Sequence, residues 1–480
     1  MARGLTNPDI AGVLGIARAT VKAHVAAIIE ALDVSNRTEA AMVLRELGRS
    51  AVESRSSPVP GFGGRPAIAV LPFDNLSGDA EQDFFADGLV EDLTTRLAMV
   101  RWFPVIARNS AFAFRATPRD LKEISRALEA RYLIEGSTRR SGNHTRIHVQ
   151  VIDAESGHHV FAEQYDREID DIFAVQDEIV DAVAGALEPA LMQIEGLRAL
   201  ARPPVQLDTW ERVQRGAVLV RAATPASVDA AILLFEAAIA GDPGPAPAHP
   251  RLAMAQFTRG LVLARATQFS PADSRSDRDA VAGVVACFQE AAAAGRRATE
   301  LDPFDPNGWI GLGAGLGGSF QLPAARSALE RAVDLHPSSA LGCWGLGTVL
   351  MRSGEWQAAL PLYERAIRLS PRDPNLWAFE GYLAIALWCA GRFEEALAWT
   401  RRSVEHESSE GFSMRPLAPA CLVGLGRRDD ARREVESIRA WRPHFNLGLV
   451  RILWPPAAVE ALADAFAEAG WDLRSADGGG

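Results

Sequence analysis

Three prolines, Pro303, Pro337 and Pro371, recur at intervals of 34 residues, and the segments between them share one pattern. Each segment carries two helix-like motifs with small residues at matching places: Trp309-x-x-Leu312-Gly313-x-x-Leu316 with Ala325-x-x-x-Leu329, and Cys343-x-x-Leu346-Gly347-x-x-Leu350 with Ala359-x-x-x-Tyr363. A fixed period of this length is typical of stacked helical hairpins, each of which buries its apolar face only against its neighbours. The sequence therefore predicts an elongated all-α array.

The period and the positions of the small residues resemble the tetratricopeptide repeat (TPR), in which the proline ends the second helix of each hairpin. Looser copies flank the clear ones on both sides, with a polar insert predicted at residues 270–279. We expect a superhelix of five to six hairpins over residues 207–445, followed by a capping helix and tail over 446–480. The resemblance implies that a protein or peptide binds the superhelix.

The aromatic residues and cysteines of the array fit a packing role. Trp309, Trp344, Trp377 and Trp388 lie at helical spacing, which predicts contacts between repeats, with a concave ligand pocket as the alternative. The four cysteines are widely separated and none forms a C-x-x-C pair, so we expect small core residues in a reducing, cytoplasmic protein without a structural metal. The sequence contains no run of 18 apolar residues, so it predicts no membrane-spanning helix.

The first 49 residues predict a different all-α unit. Val21, Val25, Ile28 and Leu32 recur at helical spacing, and the glycine of Gly15-Ile16 suits a tight turn after a short upstream helix. A third helix is predicted from Glu39 to Leu47. This is a helix-turn-helix arrangement, whose second helix is the candidate for the DNA major groove.

The segments 4–11, 20–25 and 34–40 resemble the LuxR/GerE-type helix-turn-helix. The resemblance implies that Thr20, Lys22 and His24 lie on or beside the DNA backbone, that Ala23 and Ala26 face base edges, and that the last helix makes a dimer contact. The first helix of the family's four is expected to be missing, because Met1 falls where the second begins. The expected DNA-binding residues are Thr6, Asn7, Thr20, Lys22, Ala23, His24 and Ala26.

Charge limits the kind of nucleic-acid binding that is possible. Residues 1–49 hold six basic and five acidic side chains, a net charge of +1, whereas the whole chain carries −11. A general polyanion binder is excluded, and any DNA contact must be local. The alternative is a non-DNA-binding scaffold whose helix-turn-helix is vestigial.

Residues 50–66, rich in Ser, Gly and Pro, are predicted to be a linker, and residues 67–200 an α/β domain with a mixed sheet. The apolar run 67–73 predicts a buried strand, residues 103–107 a second, and segments 132–138, 146–152 and 159–163 antiparallel strands. Ser141-Gly142-Asn143 suits a hairpin turn. Helices are predicted over 84–100, 121–128 and 172–200.

The segments 68–79, 84–89, 132–137 and 171–179 resemble the TolB-amino-terminal-like domain. Relatives of this module are joined to regulatory DNA-binding or nucleotide cyclase domains and followed by TPRs, and the resemblance implies a sensory or protein-binding role. The acidic residues between Asp74 and Asp87 are interpreted as a solvated turn, with a metal site as the alternative. His148 is expected to point to water.

The expected fold class is therefore multidomain: an all-α helix-turn-helix, an α/β TolB-like domain and an all-α TPR superhelix. The expected function is that of a bacterial transcriptional regulator acting in the cytoplasm. It would bind double-stranded DNA and a protein or peptide partner, with a homodimer as a further possibility. Neither catalytic residues nor a metal or other cofactor are expected.

Overall fold

The computed structural model describes residues 65–473, except for 78, 80–81, 101, 116–119, 169–171, 204–206, 243–247, 269–273, 372, 374, 407–413 and 444. The predicted helix-turn-helix segment and almost all of the predicted linker lie outside the described residues. What is described has two parts, a mixed β-sheet covered by helices and a longer helical array.

The sheet is built around one central strand. β3 pairs in parallel with β1 and β2 and antiparallel with β4, which in turn pairs antiparallel with β5. Gly142, with φ of +61°, allows the tight turn between β3 and β4 that the sequence predicts. The strands are β1 Ala67–Val70, β2 Asp74–Asn75, β3 Ala130–Ser141, β4 His144–Asp153 and β5 His158–Glu168.

Helices cover both faces of this sheet. α1 (Asp83–Val100) and α4 (Ile172–Ala201) share one core with the sheet, in which Ile147, Val149 and Val151 of β4 are buried. α2 (Arg108–Phe112) lies against β1, and α3 (Leu121–Leu128) packs on the opposite face around Leu133. The mixed α/β domain is thus confirmed.

Two local predictions in this part were wrong. The segment 103–107 makes only a single parallel bridge, between Val105 and Ile68, because Pro104 has no N–H and contributes only its carbonyl to Ile68. The predicted solvated turn that begins at Asp74 contains β2, which pairs with β3 at Ser137 and Thr138. A strand of two residues is too short to give a periodic signal in the sequence.

The helical array consists of six consecutive hairpins in the described part of the chain. Within each hairpin the two helices contact each other, and the second helix contacts the first helix of the next hairpin. The helices are α5 Thr209–Arg221, α6 Pro225–Gly241, α7 Ala248–Gln268, α8 Ser274–Leu301, α9 Pro306–Gly318, α10 Leu322–Leu335, α11 Ala340–Arg352, α12 Trp356–Leu369, α13 Leu376–Cys389, α14 Phe393–His406, α15 Leu417–Gly424, α16 Arg428–Trp441, then α17 Gly448–Leu453 and α18 Pro456–Glu468.

The aromatic and cysteine side chains of the array pack in its core, as predicted. The Trp344 ring lies 5.3 Å from that of Tyr382, and Trp388 is buried. Cys343 and Cys421 are buried free thiols. The predicted polar insert at 270–279 was too long, because α8 already begins at Ser274.

Candidate functional site

The seven residues expected to contact DNA, Thr6, Asn7, Thr20, Lys22, Ala23, His24 and Ala26, all lie outside the described residues. The structure therefore leaves these assignments as predictions. What it does describe is how the mixed-sheet domain is joined to the helical array.

A polar cluster ties α4 to the central strands. The hydroxyl of Tyr132 donates to Glu195 at 2.5 Å, and Arg198 Nη1 donates to both the Tyr132 oxygen and Glu195 at 2.8 Å. Arg198 also pairs with Asp153, and Arg131 Nε lies 3.4 Å from the same carboxylate. Each charged group in the cluster has an opposite charge beside it, which suits a structural role.

Burial sets the ionisation of this cluster. Burial and the neighbouring Glu195 carboxylate raise the pKa of Tyr132 well above its usual value. Burial opposes the charge of Asp153, but the guanidinium groups of Arg198 and Arg131 outweigh it and lower the pKa of that carboxyl. Tyr132 thus stays a neutral donor and Asp153 a charged acceptor, which fixes the end of α4 against β3 and β4.

The same helix carries the junction with the array. Ser338, in the turn between α10 and α11, donates to Asp181 of α4 at 2.7 Å. Arg96 of α1 pairs with the same carboxylate oxygen, its Nη2 lying 2.9 Å from Asp181 Oδ1. His336, in the same turn, is buried with its Nε2 unpartnered, and burial together with Arg96 lowers its pKa to about 4.

A second turn of the array reaches α4 at Gly185. A Cβ built on Gly185 would lie 2.8 Å from the carbonyl oxygen of Leu369, the last residue of α12. Only a residue without a side chain allows this approach. The turns that contain Pro337 and precede Pro371, one repeat apart, therefore both meet α4.

Aromatic contacts extend the junction to the first hairpins. Trp210 of α5 packs edge-on against Phe103 at 5.6 Å, within the core of the mixed-sheet domain. The guanidinium of Arg251, near the start of α7, lies 4.1 Å from the centroid of the Trp102 ring. The loop at 102–103 is thus held by both α5 and α7, so the two parts share a continuous packed boundary.

The polar candidates of the sheet do not converge into a metal site. His148 is exposed, as predicted, and His144 faces Glu168 across the strands at 3.8 Å. In the acidic turn, the amide of Asn75 donates to Asp83 at 2.7 Å and to the backbone of Asp79. Within the described ranges, no group of three or more His, Cys, Asp or Glu side chains could hold a metal ion.

None of the junction residues was predicted as functional. Asp181, Gly185 and Ser338 are common residue types at positions where the local pattern predicts a helix or a turn and nothing more. The one available signal was the proline period, because it marks the turns that later proved to face α4. Among the described residues, no helix is both long and apolar enough to cross a membrane.

Solved structures with similar architecture include other TPR proteins. A thermophilic TPR protein of Thermus thermophilus is 22% identical, covers 45% of this chain and 99% of its own, and gives a TM-score of 0.34. TolB from Acinetobacter baumannii is 20% identical, covers 26% of this chain and 28% of its own, and gives a TM-score of 0.20.

A curated relative is closer in sequence. It is the "Putative adenylate cyclase 3" of Rhizobium meliloti (strain 1021), 41% identical over 203 residues. The match covers 42% of this chain and 35% of the relative, so the chain spans about a third of the length of that protein.

Three family models match separate parts of the chain. Residues 1–44 match "Bacterial regulatory proteins, luxR family", and residues 321–374 and 346–410 match "Tetratricopeptide repeat". Residues 64–182 match "HilA/YgeH-like transcriptional regulator, second domain". The chain therefore joins a LuxR-type helix-turn-helix segment, a domain similar to the second domain of HilA/YgeH-like regulators, and tetratricopeptide repeats, a combination that supports a role in transcription regulation.

Proposed function

We propose that this protein is a bacterial transcriptional regulator that binds double-stranded DNA through its first 49 residues and takes a protein or peptide signal through its helical array. The observation that carries the proposal is the presence of two regulator-type segments, residues 1–44 and 64–182, in one chain. The repeats at 321–410 supply a surface of the kind that binds proteins.

In this proposal the helix-turn-helix docks mainly through the DNA backbone. Thr20, Lys22 and His24 contact phosphates, while Ala23 and Ala26 face base edges, where a methyl side chain offers apolar contact to a thymine methyl. The helix at 39–47 pairs two chains, so the site on DNA is a palindrome. The proposed contacts are Thr6, Asn7, Thr20, Lys22, Ala23, His24 and Ala26.

The test is selection from randomised double-stranded DNA by the full-length chain at two salt concentrations. Lys22→Ala is compared with Lys122→Ala, because these are the only two lysines in the sequence and Lys122 is exposed on α3 of the mixed-sheet domain. We expect an enriched palindrome whose binding weakens with salt. Lys22→Ala should reduce the slope of log affinity against log salt by about 1, and Lys122→Ala should leave it unchanged.

The second candidate function is that of a scaffold that binds partners through the repeats without binding DNA. It is favoured by the net charge of +1 over residues 1–49, since phosphate contacts supply most non-specific DNA affinity. No retention of DNA at low salt, by a chain that is folded and monodisperse, would establish this alternative over the regulator.

We propose that no step of this function is catalytic. The name of the Rhizobium relative raises adenylate cyclase activity as the competing idea, and this chain matches 35% of that protein. Incubating the full-length chain with ATP and a divalent cation, and measuring cyclic AMP, tests the point. Turnover that scales with protein concentration and survives repurification would overturn the non-catalytic assignment.

A further inference from the structure

Near its C-terminal end, the chain turns back and contacts the beginning of the helical array. α7 is the first helix of the second hairpin, whereas α17 follows the sixth hairpin, yet the two helices contact each other. Four hairpins separate them along the array. A contact between them therefore requires the segment after α16 to return across the array instead of continuing the stack.

The side of the array that α17 occupies follows from the helix contacts. First helices contact one another in succession, α7 with α9, α9 with α11 and α11 with α13, so they form one face. In superhelices of this type one such face is concave and binds ligands. The mixed-sheet domain contacts the array through α4, which packs against α5 and against α12. α17 contacts this face at α7, and we term the face formed by the first helices the inner face.

The returning segment is apolar and buried. Phe445, Leu447, Val450 and Trp454 are at most 4% exposed and belong to the same core as the array. Phe445 also stacks on Phe466 of α18 at 5.8 Å. Residues 445–454, which we term the closing segment, thus cover part of the inner face at α7, in the manner of a helix bound in an apolar groove.

Several features indicate that the closing segment is bound more weakly than its deep burial would suggest. α17 has only six residues, lacks a side-chain N-cap and ends at Leu453, two residues before Pro455, so it cannot be stable as a helix by itself. The indole N–H of Trp454 and, on α7, the amide oxygen of Gln256 are buried without hydrogen-bond partners. Each such group costs about 1–3 kcal/mol relative to a satisfied one.

We propose that the inner face of the array is a groove for a short apolar helix and that the closing segment is its internal ligand, displaced when a partner helix binds. This rests on the proposed role of the array as the signal-input module. The partner has aromatic and aliphatic side chains at the spacing of Phe445, Leu447, Val450 and Trp454. An attached segment competes at an effective concentration in the millimolar range, so a partner must bind much more tightly than the closing segment does.

The test uses the full-length chain and a fluorescein-labelled synthetic peptide of residues 443–456. Val450→Asp places a carboxylate in the buried contact, whereas Arg451→Asp places the same group at an exposed neighbour. By fluorescence anisotropy we expect Val450→Asp protein to bind the peptide at least tenfold more tightly than the wild type or Arg451→Asp. A peptide carrying Val450→Asp should not bind. Equal binding to all three proteins, or no binding to folded Val450→Asp protein, would overturn the proposal.

Should Val450→Asp prevent folding, hydrogen exchange of the wild-type chain decides instead. Amides of α17 are expected to exchange in an opening that leaves α7 and α13 protected. Exchange of α17 only together with α7 would show that the closing segment is an integral part of the core and contradict the proposal. Neither assay contains DNA, so failure of the groove and failure of DNA binding are separate results.

Discussion

Ser338 donates its hydroxyl hydrogen to the carboxylate of Asp181 across 2.7 Å, although 157 positions separate the two residues in the chain. This contact links a turn of the helical array to α4 of the mixed-sheet domain, and Arg96 shares the same carboxylate. This part of the junction is therefore polar, and it can be tested residue by residue.

Replacing Asp181 should loosen the junction. Asp181→Ala leaves Ser338 and Arg96 without their common acceptor, and we expect a loss of about 1–3 kcal/mol in the free energy of unfolding. Chemical denaturation measures it. Asp177→Ala, one turn earlier on α4 and exposed, is the control and should change stability by less than about 0.5 kcal/mol. Equal effects of the two variants would show that the contact contributes nothing.

Adding a methyl group should have opposite effects at two helical glycines. At Gly185 the new Cβ meets the Leu369 carbonyl at 2.8 Å, so Gly185→Ala should destabilise the protein by about 1–3 kcal/mol despite its better helix propensity. At Gly283 of α8 an added Cβ would meet no atom within 4 Å apart from its own stretch of helix, and Gly283→Ala should stabilise the protein by up to about 1 kcal/mol. The melting temperatures of the two variants measure both effects. A Gly185→Ala variant more stable than the wild type would contradict the close approach of α4 to the Leu369 carbonyl.

The turn after α9 holds Phe320 at φ of +63°, where the corresponding turns use Gly354, Gly391 and Gly426. Arg352 lies 5.0 Å from the Phe320 ring, so truncating this side chain also removes a cation–π contact. Phe320→Gly and Phe320→Ala lose that contact equally and differ only in backbone preference.

We therefore expect Phe320→Gly to be more stable than Phe320→Ala by about 1 kcal/mol, the reverse of the order in a helix. The difference between their urea midpoints measures it. The opposite order, with alanine the more stable residue, would show that the left-handed conformation is not kept in solution.

Acid should weaken the junction through His336. Its pKa in the folded protein is lowered to about 4 by burial and Arg96, whereas the unfolded chain has the ordinary value near 6.5. Asp181 acts in the opposite direction. The unfolded state binds the extra proton between these values, so stability is fully present above pH 6.5 and falls as pH decreases toward 4, by up to roughly 3 kcal/mol.

The free energy of unfolding of the wild type and of His336→Gln, measured across that pH range, separates the contribution of His336 from that of the carboxylates. His336→Gln should lose less stability than the wild type as the pH falls. His148→Gln, at an exposed strand position, is the control and should follow the wild type. Identical pH dependence in all three proteins would contradict the buried, neutral state of His336.

Much of the fold was predictable because its signals are local. The 34-residue proline period, the alternation around His148 and the Ser141-Gly142-Asn143 turn are each visible in the sequence itself. The failures were short or interrupted elements, β2 and the single bridge at Val105, whose pairing depends on the central strand and not on their own pattern. The proposed DNA contacts come from resemblance and remain predictions.

By itself, the sequence determined the kind of each part: repeated hairpins, a mixed sheet and a regulator-type N-terminal segment. Tertiary structure alone decided which turns of the array meet α4, why Gly185 must lack a side chain, and that the closing segment returns to α7. The physical reason is distance along the chain. A contact such as Ser338 with Asp181 arises from the summed geometry of several packed hairpins, and that sum leaves no periodic mark on either residue.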